Sequence, residues 1–96
     1  MDYLEMVKRY LRVTFDHSDE ELRDLIEDGK AELKGAIYPG LEFNAIPDAP
    51  YDGRVNALLK DYVRYAWNGS TQYFRQDYSR QILALSLEIG GDKLDP

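Results

Sequence analysis

SDEELRDLIEDGKAELKGAI, residues 18–37, is the stretch whose reading decides the fold class. Leu22, Leu25, Ile26, Gly29, Leu33 and Ile37 recur at helical intervals, so a helix would gather them on one face. The stretch opens on Ser18-Asp19-Glu20-Glu21, a capping-box pattern in which the Ser18 hydroxyl and the Glu21 carboxylate satisfy each other's free backbone amides. Acidic residues fill its first turn and Lys30 and Lys34 its later half, the charge order that a helix dipole favours. A helix with one apolar face needs a partner, and the rest of the chain must supply it.

Working outward towards the N-terminus, Tyr3, Leu4, Val7, Tyr10 and Leu11 keep the helical period, with Asp2 as N-cap and Glu5 in the first turn. Val13-Thr14-Phe15 ends that stripe, and Asp16-His17-Ser18 makes the turn into the second helix. On the other side, Tyr38-Pro39-Gly40 stops the second helix, and Pro47 and Pro50 keep the chain non-helical to about Tyr51. From Asp52 the period resumes through Val55, Leu58, Leu59, Tyr62, Val63, Ala66 and Trp67, and Asn68-Gly69-Ser70 breaks it. A fourth segment carries Phe74, Tyr78, Ile82, Leu85 and Ile89 and is expected to stop at Gly90-Gly91. No segment alternates with period two. The expectation is an all-α fold: a small bundle of about four helices with a long proline-containing loop between helices 2 and 3. It forms a single domain over residues 1–96, with 91–96 a flexible tail.

The composition excludes several functions. With no cysteine among 96 residues there is no disulfide framework, thiolate metal site or cysteine nucleophile. A formal charge of −6 repels phosphate backbones and anionic lipid, and no apolar run reaches the length of a membrane span. The N-terminus lacks a basic segment followed by an apolar run, so the expectation is a soluble protein of a cytoplasm.

Single residues that suggest chemistry have plainer explanations. His17, the one histidine, lies among helix-capping acids and has no converging ligands. Asp48, Asp52 and Gly53 imitate the start of a calcium loop, but Pro50 and Leu59 stand where two further ligands are required. No phosphate-binding glycine loop or nucleophile elbow occurs. The expectation is no catalytic residue, no metal and no cofactor. Tyr62, Tyr65, Trp67, Tyr73, Phe74 and Tyr78 with Arg64 and Arg75 resemble a stacking platform for single strands, but most fall on core faces. Tyr65 and Tyr73 lie off those faces and are candidates for a protein interface, as are Leu41, Phe43 and Ile46 in the 38–50 loop. The loop residues have a second reading, in which they fold back to complete the core.

Met6-Val7-Lys8-Arg9-Tyr10-Leu11, followed by the acid-rich cap and Leu22-x-x-Leu25-Ile26-x-x-Gly29-Lys30, resembles the N-terminal half of the head-tail connector (head completion) proteins of tailed bacteriophages. Leu58-Leu59-Lys60-Asp61-Tyr62-Val63-Arg64-Tyr65, a break, and Phe74 and Tyr78 leading into Gln81-Ile82-Leu83-Ala84-Leu85 are similar to that family's third and fourth helices. The likeness spans nearly the whole chain as a pattern of lengths and apolar positions. It departs at Leu85-Ser86-Leu87-Glu88, where many relatives carry a Gln-Leu-Arg type sequence. It implies a non-enzymatic virion protein, assembled in the bacterial host cytoplasm. About twelve copies form a ring at the head-tail interface that contacts the portal and the tail or stopper proteins, with DNA passing through unread. A cytoplasmic helical adaptor that binds a partner through the 38–50 loop is the alternative, and a nucleic-acid binder a third.

Overall fold

The computed structural model describes the backbone of residues 2–94 and the side chains of residues 2–91. It is all-helical. In chain order come α1 (Tyr3–Leu11), α2 (Asp19–Ala36), α3 (Asp52–Trp67), a 3-10 turn (Thr71–Tyr73), α4 (Phe74–Asp77) and α5 (Ser79–Leu94). Buried side chains from α1, α2, α3, α4 and α5, with Ile37 and Leu41 beyond the end of α2, form one apolar cluster.

α1 begins as its sequence implies, with the Asp2 carboxylate accepting from the Glu5 amide at 2.9 Å. It ends on Arg12 in the left-handed region, φ 59°, which lets the Val13 amide bond back to the Lys8 carbonyl at 2.9 Å. α2 starts where Ser18 places it, but the capping box does not form. Ser18 has φ −111° and ψ 11°, outside the extended conformation that aims a cap hydroxyl at the following amides. The turn is held instead by Lys8, whose ammonium donates to Asp16 at 2.8 Å and to Asp19 at 2.7 Å.

α2 buries Leu22, Ile26, Gly29 and Leu33, while Leu25 lies at the edge of the core, half-buried. Gly29 has a specific role. A Cβ built there would lie 2.7 Å from Leu59 Cδ1 and 2.8 Å from Tyr62 Cδ1, so the absence of a side chain sets how closely α2 and α3 approach.

The C-terminal third differs from the sequence reading in two ways. Where one fourth helix was expected, the chain makes a 3-10 turn and a four-residue helix before α5, with the break at Tyr78. Packing explains the break: Phe74 is buried at the end of α3, edge-on to Tyr62 and Tyr65, and Arg64 donates to the Tyr78 hydroxyl at 3.2 Å. The second difference is that α5 runs through Gly90-Gly91 to Leu94. Two glycines weaken a helix by about 1 kcal/mol each, less than is needed to end one anchored by buried Ile89 and followed by helix-compatible residues. Residues 95 and 96 of the expected tail lie outside the described residues. Gly69, in contrast, ends α3 with φ 71°, and the Ser70 amide bonds to the Tyr65 carbonyl at 2.8 Å.

Candidate interaction surfaces

Residues 37–51 contain no helix, yet they are fixed by two polar side chains buried at the start of α3. Asp52 accepts from the Asp48 and Ala49 amides, each at 2.8 Å, and from the Asn44 carboxamide at 3.1 Å. Asn56, one turn on, donates to the Asn44 carbonyl at 2.8 Å and accepts from the Tyr3 hydroxyl at 2.7 Å, tying α1 into the same network.

The network shifts its own titrations. Burial pushes the Asp52 carboxyl up, but the donors from Asp48, Ala49 and Asn44 together outweigh it and hold the group below its usual range. Burial, and then the nearby Asp52 charge, push the Tyr3 hydroxyl up to about 12. The Asp52 Oδ2 that a calcium loop would present therefore already accepts three hydrogen bonds from the protein's own amides.

The loop's apolar residues divide. Leu41 is 4% exposed and belongs to the core, and Phe43 is half-buried against it beside Lys30. Ile46 is 74% exposed, in the segment that Asp52 and Asn56 hold in place. For Leu41 and Phe43 the fold-back reading describes what happens; Ile46 remains a surface group.

Tyr65 and Tyr73 lie at the opposite end of α3, a helix about 24 Å long. Tyr65 is half-buried. Its hydroxyl donates to Asp77 at 2.6 Å, and its ring packs edge-on to Phe74 and Tyr78 with the Arg64 guanidinium above it. Tyr73 is 55% exposed. The five candidates thus form no single patch, and Ile46 and Tyr73 are the two with free surface.

Two features escaped the sequence reading. One is the Asp52–Asn56 network, whose signal was an acid and an amide one turn apart at the start of a helix that follows a proline loop. The other is α5, where Leu83 and Leu87 are exposed at 60% and 69% although Ile82, Leu85 and Ile89 on the same helix are buried. Their spacing of four was there to be read, but it fell outside the stripe assigned to the core.

No chemical centre accompanies these surfaces among the described residues. His17 is exposed and stacks on Phe15 with ring centroids 4.3 Å apart, and no three histidine or carboxylate side chains sit together as metal ligands would. No described helix is long and apolar enough to cross a membrane. The chain was compared with family models, curated proteins and solved structures, and none of them matches it.

Proposed function

We propose that this chain is a non-enzymatic assembly subunit, the head-tail connector of a tailed bacteriophage. In this reading it is a small helical bundle whose copies form a ring, about twelve in number, between the portal of a DNA-filled head and the tail or stopper. The proline-bearing loop is its portal contact. The observation that carries the reading is that loop, which is long and irregular yet pinned by Asp52 and Asn56 so that Ile46 stands out from an ordered segment. An apolar group held in place before binding loses little freedom when a partner covers it. The resemblance in length and apolar pattern supplies the phage context, and a net charge of −6 suits a ring through which DNA slides without being gripped.

Co-expression with the portal protein of a tailed bacteriophage whose genome encodes this chain tests the proposal. A ring-shaped complex containing both proteins is expected, and Ile46→Ser should lose the portal while melting like the parent. A complex with one or two copies of some other cytoplasmic protein, and none with a portal, would establish the adaptor reading instead. Affinity for nucleic acid that falls steeply with salt would replace both.

A further inference from the structure

α5 carries apolar groups on two sides. Leu83 and Leu87, one turn apart, form an exposed ridge, and Arg80 lies one turn before Leu83 on the same strip. Beside the ridge, between α3 and α5, runs a groove of about 230 Å³ lined by Ala57, Leu58, Ala84 and Leu85. Its ends are charged or polar. The Arg54–Glu88 ion pair, 2.5 Å, closes one end, and Asp61 with Tyr78 marks the other.

We infer that the Leu83–Leu87 ridge of one copy docks into the α3/α5 groove of a second copy, head to tail. The groove's charged lining, Arg54 at one end and Asp61 at the other, matches the ridge of a second copy in one direction only, with Asp61 also paired to Arg64 at 3.6 Å within its own chain. α3 and α5 run antiparallel, since Arg54 pairs with Glu88 while Arg64 reaches Tyr78. An incoming α5 lying parallel to the resident one brings its Arg80 to the Asp61 end of the groove. The antiparallel pose puts Arg80 on Arg54.

Ridge and groove sit about a third of a turn apart around α5. A copy that gives its ridge therefore keeps its own groove open, and the contact propagates in one direction instead of closing in pairs. The groove and ridge carry this inference whatever larger assembly the chain joins, and it is tested with no portal present.

The chain has no cysteine, so Leu87→Cys and Ala57→Cys each introduce a single thiol at an exposed position. Under mild oxidation the two variants mixed should form a covalent dimer about tenfold faster than Leu87→Cys mixed with Glu20→Cys, whose thiol lies on α2. In sedimentation equilibrium from about 10 µM to about 1 mM, the range suited to a small interface, the parent's mean mass should rise. The double variant Leu83→Ser/Leu87→Ser should stay a single copy with the parent's melting temperature. The inference is overturned if the mixed pair links no faster than the control, if the parent remains a single copy throughout, or if the double variant associates like the parent. It is also overturned if Leu87→Cys links to itself faster than to Ala57→Cys, because the contact is then ridge on ridge.

Discussion

The two sides of α3 are finished to different degrees. Towards α1 and α2 the packing is close: Gly29 admits Leu59 and Tyr62, Leu22, Ile26 and Leu33 are buried, and Asp52 and Asn56 are hydrogen-bonded within the chain. Towards α5, α3 leaves a groove, and α5 itself exposes two leucines. A helix apolar on more than one face is normally buried on more than one face. The first region is closely packed in one copy of the chain, and the second leaves apolar surface open.

The largest expected effect lies in the closely packed region. Leu59 is 0% exposed, and Leu59→Ala should destabilise by about 2–5 kcal/mol, a large part of the stability of a domain this small. Leu85→Ala should cost less, towards the lower end of that range, because Leu85 lines an open groove and its neighbours can close on the space. Urea midpoints measure both, and equal losses would remove the distinction between the two sides.

Asp52→Ala comes next. It leaves the part-buried bonds from the Asp48 and Ala49 amides without an acceptor, at a cost of about 1–3 kcal/mol. Amide exchange should quicken within 41–51 while α2 stays protected. The pH dependence follows from the same groups. Because folding holds the Asp52 carboxyl below 3.8, its contribution is full above that value and is lost as the pH falls through the folded pKa. Tyr3 has the opposite sign. Raised from 10.0 to about 12, it contributes fully below pH 10 and loses that contribution as the pH climbs to 12. Burial and the nearby Asp61 carboxylate likewise push Tyr78 up to about 12. Tyr10, Tyr62 and Tyr65 are raised as well, so an ultraviolet titration should find several late tyrosines, with one of the two that reach about 12 absent from Tyr3→Phe.

Gly29→Ala sharpens the comparison at a single atom. Helix propensity alone favours alanine by about 1 kcal/mol. Here the new Cβ meets both the fully buried Leu59 and Tyr62, at 2.7 and 2.8 Å, so a net loss of about 1–3 kcal/mol is expected from thermal melts. A stabilised Gly29→Ala would mean that α2 and α3 are less closely fitted than their contact implies.

The region that is closely packed in one copy was also the legible one. α2 and α3 follow from apolar spacing because each presents a single face to the core. Asp2 and Gly69 act as their types suggest, and Asp52 begins α3 where the prolines allow it. What could not be read depends on contacts distant in sequence. Lys8 replaces the capping box by drawing on Asp16 and Asp19, the Phe74 cluster breaks the last helix at Tyr78, and Ile89 carries α5 past Gly90-Gly91. The loop candidates show the same limit. Pattern alone gave Leu41, Phe43 and Ile46 equal standing, and only the turn imposed by Asp52 and Asn56 sends the first two inward and Ile46 out.

The smallest effect on stability belongs to the ridge. Leu83 and Leu87 touch little within one copy, so Leu83→Ser and Leu87→Ser should each change the unfolding free energy by no more than about 0.5 kcal/mol, serine's weaker helix propensity included. Leu85→Ser, two residues from each on the buried side, should unfold the protein or nearly so, because it both empties space and buries a hydroxyl. Three leucine-to-serine changes within five residues of one helix thus separate a side the fold needs from a side it leaves free. Urea unfolding in dilute solution, where copies are apart, reads that separation directly. If Leu83→Ser or Leu87→Ser costs as much as Leu85→Ser, the ridge is part of the chain's own core, and the division between the two sides of α3 fails.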